Sequence, residues 1–218
     1  LLIVFYFIVA VILFLYGFHF YIILFLFQKS KKKPSQIIKS IPLETKWPKV
    51  TLQLPLYNEY NVVEQLLEKV MQIKYPFSQL QIQVLDDSTD ETQVLTQKIC
   101  QDYSQKGYPI EYHHRSHREG FKAGALKEGL KKATGEYIAI FDADFIPNPD
   151  FLVRTIPYFL ANPKVGLVQT RWDYTNRDYS LLTHLQAVAL DGHFMIEQKS
   201  RSDNQLWFNF NGTAGIWK

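Results

Sequence analysis

Residues 137–147, with the sequence YIAIFDADFIP, place a short apolar run directly before two acidic residues. The run over residues 137–141 predicts a buried strand, because short uninterrupted apolar runs bounded by turn residues are typical of such strands. Asp142 and Asp144 follow at once, and Pro147 closes the stretch. The sequence therefore predicts a buried strand that carries two carboxylates at its carboxyl end.

Strand and helix patterns alternate along the chain before this stretch. Alternating apolar and polar residues predict strands over residues 50–54 and 80–84, and residues 110–113 have the composition of a short third strand. Helices are predicted after the first strand, from about residues 88–92, and over residues 122–133. This order predicts an α/β fold with a mostly parallel, doubly wound sheet, whose ligands bind at the carboxyl ends of the strands.

The helix after the first strand has the clearest start signal. Asn61 and Glu64 stand three residues apart in the pattern of a capping box, which predicts that the helix begins there. The apolar residues that follow recur at spacings of three and four, so they share one face of the helix. They are Val62, Val63, Leu66, Leu67, Val70 and Met71.

Residues 1–27 contain no Asp, Glu, Lys or Arg. At about 1.5 Å per residue, a helix of this length reaches roughly 40 Å, which exceeds the ~30 Å hydrocarbon core of a bilayer. A signal peptide is the alternative, but no basic stretch precedes the run and no small-residue cleavage site follows it. We therefore predict a transmembrane helix over residues 1–27, a basic linker over 28–48 and a globular domain over 49–218.

Lysines cluster directly after the apolar run, at Lys29, Lys31, Lys32 and Lys33. Clustered basic residues beside a span mark the cytoplasmic side, so the following domain is predicted to be cytosolic. Without these four lysines, the 24 basic residues of the chain become 20, against 21 acidic ones. A near-neutral domain gives nucleic-acid binding no support. The one cysteine, Cys100, cannot form an internal disulfide, which agrees with a reducing compartment, and its expected role is packing.

The acidic residues Asp142 and Asp144 have the chemistry of a cation site. Mg²⁺ and Mn²⁺ prefer hard oxygen ligands, and one or two carboxylates together with substrate phosphates complete such a site. A solvated loop or cap is an alternative, because two acids at this spacing are common. A phosphatase-type Asp-x-Asp is a second alternative, but it requires Thr or Val where this chain has Ile146.

A second acidic pair, Asp86 and Asp87, closes the second predicted strand. A short acidic side chain at this place can cap helix amides or accept hydrogen bonds from a ribose or a base. We expect Asp86 to be functional, because a second acid beyond the cap otherwise adds only repulsion.

Basic residues lie just before the third predicted helix, in the stretch HREGFKAG of residues 117–124. Arg118 and Lys122 suit a phosphate that approaches the helix N-terminus. A solvated basic loop is the plainer interpretation of the same composition.

Two further stretches have both a functional and a structural interpretation. Residues 208–215, FNFNGTAG, combine aromatic rings with amide and hydroxyl groups, which suits a sugar, and a buried turn fits equally well. His113, His114 and His117 have no cysteine nearby and no helical i,i+4 pair, so zinc is not expected there.

Taken together, these stretches resemble the processive family 2 glycosyltransferases, in particular the cellulose-synthase-like branch with its mannan, glucomannan and glucan synthases. The resemblance runs in order through residues 50–218. The matching stretches are LPLYNE (54–59), QVLDDSTD (83–90), HREGFKAGALKEGL (117–130), IFDADFIP (140–147), VQTRW (168–172) and FNGTAGIW (210–217). The resemblance implies a GT-A type nucleotide-sugar-binding fold and inversion at the anomeric carbon.

The resemblance also implies roles for individual residues. The residues implied to contact a nucleotide-sugar donor are Tyr57, Glu59, Asp86, Asp87, Lys122 and Asp142, with Lys122 on a phosphate. The residues implied to hold Mg²⁺ or Mn²⁺ are Asp142 and Asp144. The residues implied to line the acceptor side are Gln169, Asn211, Gly212 and Thr213.

The implied activity is transfer of a hexose from UDP-glucose or GDP-mannose to a growing β-linked polysaccharide. The protein would be an integral membrane protein whose catalytic domain, residues 49–218, lies on the cytoplasmic face. Its partners would be the donor, a glycan or lipid acceptor and the membrane, with no nucleic acid. Single-sugar transfer to a lipid and a non-catalytic scaffold subunit are alternatives. A nucleotidyltransferase is disfavoured, because no Gly-rich phosphate loop follows the first strand.

The family has two further motifs that residues 1–218 do not contain. One is a Thr-Glu-Asp motif whose Asp is the general base, and the other is a Gln-x-x-Arg-Trp motif that grips the acceptor. No catalytic base is therefore assigned in this chain. We expect the chain to be cut at both ends, and to bind donor with little or no turnover.

Overall fold

A computed structural model describes residues 1–31 and 46–218, which fall into two compact units. The first unit contains the described residues of Leu1–Ile37 together with Arg171–Asn209, and the second contains those of Ile38–Thr170 together with Phe210–Lys218. The helices are α1 (Leu2–Ser30), α2 (Tyr60–Met71), α3 (Thr92–Gln105), α4 (Phe121–Leu130), α5 (Phe151–Ala161), α6 (Leu181–Asp191) and α7 (Lys199–Asp203). The strands are β1 (Val50–Leu56), β2 (Leu80–Asp86), β3 (Ile110–His114), β4 (Tyr137–Ile140), β5 (Leu167–Gln169) and β6 (Gly215–Trp217).

The second unit is built on a six-stranded sheet in the order β3-β2-β1-β4-β6-β5. The first four strands in this order are parallel, whereas β6 runs antiparallel to both β4 and β5. Every residue of β1 and β2 is buried, which is typical of parallel strands that are covered on both faces. The predicted α/β fold with a mostly parallel sheet is confirmed.

The polar residues that alternate along β1 and β2 form a buried ladder. The Thr51 hydroxyl donates to Gln81 Oε1 over 2.8 Å, and Gln53 Nε2 donates to Gln83 Oε1 over 3.0 Å. Gln83 is fully buried. These hydrogen bonds offset part of the cost of removing amide and hydroxyl groups from water, although the buried Gln83 Nε2 has no hydrogen-bond partner among the described residues.

Helix α4 lies close to this ladder because Gly129 faces it. A Cβ at Gly129 would lie 2.6 Å from Gln53 Nε2 and 2.7 Å from Leu85 Cδ1. Gln53 Nε2 also lies 3.4 Å from the Leu126 carbonyl oxygen of α4. The small residue therefore permits the helix to pack against β1 and β2.

Helix α2 begins earlier than its capping pattern predicts. Its N-cap is Glu59, with no side-chain capping bond, and the amides of Val62 and Val63 donate to the Glu59 carbonyl. Asn58, at φ 54°, turns the chain into the helix, so Asn61 lies inside the first turn. The predicted capping box of Asn61 and Glu64 is therefore wrong, while the predicted apolar face buries Val63, Leu66, Leu67, Val70 and Met71.

In the first unit, the helix over residues 181–203 packs against α1. This helix contains α6, a π-helical segment (Gly192–Gln198) and α7 in continuous succession. Arg201 Nη2 lies 2.9 Å from His19 Nε2, and Asn204 Nδ2 donates to Ser30 Oγ over 3.0 Å. These polar contacts join residues of α1 to a segment that is more than 150 residues away in sequence.

Within residues 1–31 and 46–218, α1 is the one helix that is both long and apolar enough to cross a membrane. It extends over Leu2–Ser30, three residues past the end of the predicted span at residue 27, and Lys29 lies in its last turn. Most of its large apolar side chains are exposed. Of the predicted basic linker, Lys32 and Lys33 lie outside the described residues.

Candidate functional site

The candidate site lies in the second unit, where the carboxyl ends of β1, β2 and β4 meet at one edge of the sheet. Ligands of doubly wound sheets bind at this edge. A cleft of about 290 Å³ opens there. Its lining consists of Pro55, Leu56, Tyr57, Glu59, Asp87, Arg118, Lys122, Ala125, Asp142, Ala143 and Asp144.

Six of the residues proposed from the sequence for donor and metal binding share this cleft, although residues 57 and 144 are 87 positions apart. They are Tyr57, Glu59, Asp87, Lys122, Asp142 and Asp144. Asp86 is not on the lining. Of the acceptor candidates, Gly212 and Thr213 are hydrogen-bonded to lining residues, and Gln169 and Asn211 are joined to the same segment.

The loop that carries Asp142 is held by the segment of residues 211–214. The Asp142 backbone N–H donates to Thr213 Oγ1 over 3.0 Å. Lys122 forms an ion pair with the Asp142 carboxylate and donates to the Gly212 carbonyl oxygen over 2.9 Å. Because Gly212 has φ +83°, its carbonyl reaches this position in a backbone conformation that favours glycine. The two segments therefore form one hydrogen-bonded unit at the end of β4.

Gln169 orders the same segment from β5. Its side-chain amide donates to the carbonyl oxygens of Thr213, over 3.0 Å, and Ala214, over 3.3 Å. Its Oε1 accepts the Asn211 backbone N–H over 3.1 Å. Gln169 thus fixes the backbone on both sides of Gly212. The interpretation of this stretch as a buried turn is compatible with the structure, and its contact with an acceptor stays a prediction.

Three carboxylates make one part of the cleft strongly negative. Burial raises the pKa of Glu59, and the charges of Asp144 and Asp142 raise that pKa further. Like charges that disfavour one another's ionised forms create a favourable place for a cation. The acidic groups therefore fit a divalent ion held by one or two carboxylates and completed by phosphate oxygens.

A metal site made of protein ligands alone is not present in the described part of the chain. No three His, Cys, Asp or Glu side chains within residues 1–31 and 46–218 are arranged to hold an ion. His113 instead lies 3.1 Å from Glu111, and His114 lies 4.0 Å from Asp86. These contacts give no support to a zinc site.

Asp86 and Asp87 have different environments although they are adjacent. Asp86 is fully buried, and its carboxylate accepts hydrogen bonds from the Tyr112 hydroxyl over 2.7 Å and the Ser88 amide over 2.8 Å. Asp87 lines the cleft, and the Arg115 guanidinium binds both of its oxygens, with Nε to Oδ1 at 2.7 Å. Asp86 is therefore placed to support the cleft, and Asp87 to face it.

Arg115 was not considered from the sequence, whereas Arg118 was considered there, with Lys122, as a residue that suits a phosphate. Arg115 pairs with Asp87, and the Arg118 guanidinium carbon lies 3.3 Å above the centre of the Tyr57 ring. The signal for Arg115 is that a buried carboxylate requires a cationic partner. Arg118 lies in the basic stretch of residues 117–124, whose composition also fits a solvated loop.

The sheet order, the acidic loop at the end of β4 and the antiparallel pair β5 and β6 define a GT-A type α/β fold. A mannosyltransferase of Pyrobaculum calidifontis, solved in complex with GDP-Man and Mn²⁺, superposes with a TM-score of 0.68 at 27% identity. The match covers 96% of this chain and 55% of that one. TarS of S. aureus in complex with UDP shares the fold at 22% identity, with a TM-score of 0.51 over 59% of this chain and 37% of its own.

The chain belongs to Glycosyl transferase family 2, whose sequence profile matches residues 51–217. It is 47% identical over 176 residues to glucomannan 4-beta-mannosyltransferase 9 of Arabidopsis thaliana, covering 79% of this chain and 33% of the relative. It is also 47% identical over 177 residues to glucomannan 4-beta-mannosyltransferase 1 of Cyamopsis tetragonoloba, covering 79% and 34%. The chain thus spans about one third of the length of these curated relatives. The resemblance to the cellulose-synthase-like branch is confirmed.

Proposed function

We propose that this chain is the donor-binding part of a membrane-bound, inverting glycosyltransferase that adds hexoses to a growing β-linked polysaccharide. The observation that carries the proposal is the cleft itself, in which two basic and four acidic side chains from separate loops meet at the carboxyl edge of the sheet. Such an arrangement suits a charged, metal-bound diphosphate. The relatives named above favour a mannosyl donor, and UDP-glucose is the alternative.

The proposed reaction is a direct displacement at the anomeric carbon of the donor sugar. An acceptor hydroxyl oxygen forms the new bond to this carbon while the bond to the diphosphate oxygen breaks. The electron pair of that bond leaves with the nucleoside diphosphate, and the hydroxyl proton passes to a general base. The part proposed for the chain is to bind and orient the donor, with Tyr57, Glu59 and Asp87 toward the nucleoside and Lys122 toward a phosphate.

Asp142 and Asp144 are the residues proposed to hold Mg²⁺ or Mn²⁺. The fit rests on their hard oxygen donors and on their proximity to Glu59, whose pKa is raised mainly by burial and further by the charges of Asp144 and Asp142. A divalent ion bound there would neutralise charge on the departing diphosphate. The ion pair with Lys122 already holds the Asp142 carboxylate in place.

The location proposed for the protein is a membrane, with the catalytic unit on its cytoplasmic face. The support is the exposed apolar surface of α1 and the lysines at its C-terminal end, of which Lys29 and Lys31 are described. Gln169, Asn211, Gly212 and Thr213 are proposed for the acceptor side, because their segment adjoins the acidic loop.

The test is incorporation of labelled sugar by membranes that contain the full-length protein carrying this chain. We expect label from GDP-mannose, with Mn²⁺ present, to enter a product that β-mannanase degrades, and we expect Asp144→Asn to abolish it. A label found only in organic-solvent extracts would indicate a lipid acceptor instead. No incorporation from either GDP-mannose or UDP-glucose, in membranes where the protein is folded, would favour a scaffold subunit.

A further inference from the structure

Arg118 is the one basic side chain on the cleft lining that has no carboxylate partner among the described residues. The cleft lining contains four carboxylates and two basic groups. Asp142 is neutralised by Lys122, and Asp87 is neutralised by Arg115, which is not on the lining. The positive charge of Arg118 is therefore available to a ligand.

The Arg118 guanidinium is nevertheless held in a defined position. Its central carbon lies 3.3 Å from the centre of the Tyr57 ring and 5.1 Å from the centre of the Phe121 ring. A guanidinium that stacks on an aromatic ring keeps its N–H groups at the edge of its plane, where they can donate to a second partner. The residue is exposed, and no side-chain hydrogen bond engages it within the described residues.

The loop that presents Arg118 is pinned by Arg115. The Arg115 guanidinium donates to the carbonyl oxygens of Glu119, over 3.3 Å, and Phe121, over 3.1 Å, while it binds Asp87. Gly124 makes the loop compact, because a Cβ there would lie only 1.9 Å from the Glu119 carbonyl oxygen. The backbone on the C-terminal side of Arg118 is therefore fastened to the cleft wall before any ligand enters.

From this geometry we propose that Arg118 binds the diphosphate of the nucleotide-sugar donor. The inference rests on the proposed function and extends it to Arg118, for which the sequence composition left a phosphate contact and a solvated loop both open. Two of the four lining carboxylates, Glu59 and Asp144, have no basic side-chain partner within residues 1–31 and 46–218, so an incoming diphosphate requires positive charge beyond that of Lys122. Arginine suits phosphate oxygens because its planar N–H groups can bind two of them together.

A phosphate is the better partner than the base. The bases of nucleotides are neutral, whereas the diphosphate carries the charge that Arg118 can balance. The guanidinium also covers one face of the Tyr57 ring, so a base that stacked on this face would have to displace it. Binding to the diphosphate leaves the stack on Tyr57 in place.

The test compares nucleoside diphosphates with monophosphates. Calorimetry on the 218-residue chain in detergent, with Mn²⁺ fixed, gives the dissociation constants of GDP, GMP, UDP and UMP. We expect Arg118→Gln to weaken the better diphosphate about tenfold or more, since hydrogen bonds between charged groups are worth this much. We expect the affinity for the monophosphate to fall clearly less than the affinity for the diphosphate. The dissociation constant of the monophosphate divided by that of the diphosphate should therefore decrease. Arg118→Lys, which keeps the positive charge, should retain part of the preference for the diphosphate over the monophosphate.

The matched control is Lys127→Gln, which removes one exposed positive charge from α4 outside the cleft lining and should leave the ratio unchanged. An equal loss for both nucleotides would overturn the inference, because it would assign Arg118 to a part that both share, namely the base, the ribose or the first phosphate. An unchanged diphosphate affinity would also overturn it, and in that case metal-dependent binding by the parent chain would leave the proposed function standing. If the folded parent chain binds none of the four nucleotides, both the role of Arg118 and the proposed function are wrong. The thermal midpoint of each variant checks that it is folded.

Discussion

Asp86 and Asp87 can lie side by side at the end of β2 because each carboxylate has hydrogen-bond partners of its own. Tyr112 and Arg115, which supply these partners, follow 26 and 28 residues later, in and just after β3. The sequence argument that a second acid adds only repulsion could not include them, since their proximity depends on the pairing of β3 with β2. The position of the pair was predictable, whereas its division into a buried and a cleft-facing acid was not.

Arg115→Met should lower the free energy of unfolding by about 3 kcal/mol, because it leaves the Asp87 carboxylate buried without its partner. Chemical denaturation of the folded unit measures the change. The control is Arg154→Met, whose pair with Asp150 is exposed on α5, and it should cost less than about 1 kcal/mol. Similar costs for the two variants would show that the Arg115 pair contributes little.

The Cys100 thiol should be unreactive in the folded chain. It is 3% exposed, and burial, with a smaller contribution from the Asp86 charge, raises its pKa to about 12. At pH 8 the thiolate fraction is therefore very small, and stability falls as the pH rises from the ordinary thiol pKa of the unfolded chain toward the raised pKa of the folded chain. A thiol reagent at pH 8 should label Cys100 only after denaturant is added. Fast labelling of the native chain would contradict this account.

At the scale of elements, the pattern predicted the strands β1 to β4 and the helices α1 to α4, and it missed α5 and the elements that depend on tertiary contacts. β1, β2, β3 and β4 were placed to within two residues at each end. β5 and β6 were not predicted as strands, because each has three residues and exists only through its pairing with a neighbour. The helix over residues 181–203 was not predicted either, and its packing against α1 supplies part of its stability.

The alternation of apolar and polar residues in β2 has a different cause from the usual one. Such alternation normally indicates a strand with one solvated face. Here Gln81 and Gln83 are buried and pair with Thr51 and Gln53 of β1, so the polar face is internal. Periodicity alone does not separate these cases, because both give the same sequence pattern.

Gly129→Ala should destabilise the second unit by about 1–3 kcal/mol, since the added methyl group would overlap Gln53 and Leu85. At an unhindered helix position, replacing glycine by alanine instead stabilises the fold by about 1 kcal/mol. Gly192→Ala is the control, because nothing lies within 4 Å of its added Cβ. Thermal unfolding of both variants gives the comparison. A stabilised Gly129→Ala variant would mean that α4 does not pack against the sheet as closely as described.

At the scale of the whole molecule, the two units differ in the surfaces that they present. The first unit exposes apolar side chains along α1, whereas the second presents a charged cleft. The family and the GT-A fold could be recognised from six short stretches, which lie in order within the residues that the family profile matches. The length and continuity of α1 were also predictable, apart from its last three residues.

Alkaline extraction of membranes tests the proposed span. The chain should stay in the membrane pellet, and Ile12→Arg with Leu13→Arg should release a large part of it. Each arginine near the centre of a span costs about 2.5–3.5 kcal/mol on insertion scales. The control exchanges the same positions between Ile and Leu, which keeps them apolar. Complete release of the parent chain would contradict a membrane-spanning α1.

Donor binding by the cleft is the central claim, and calorimetry with GDP-mannose and UDP-glucose tests it most directly. The 218-residue chain is titrated in detergent with and without Mn²⁺, alongside Asp144→Asn and the surface control Asp178→Asn. We expect one donor to bind only with Mn²⁺, with binding lost in Asp144→Asn and kept in Asp178→Asn. Donor binding that is independent of both Mn²⁺ and Asp144, or no binding by the folded chain, would contradict the account.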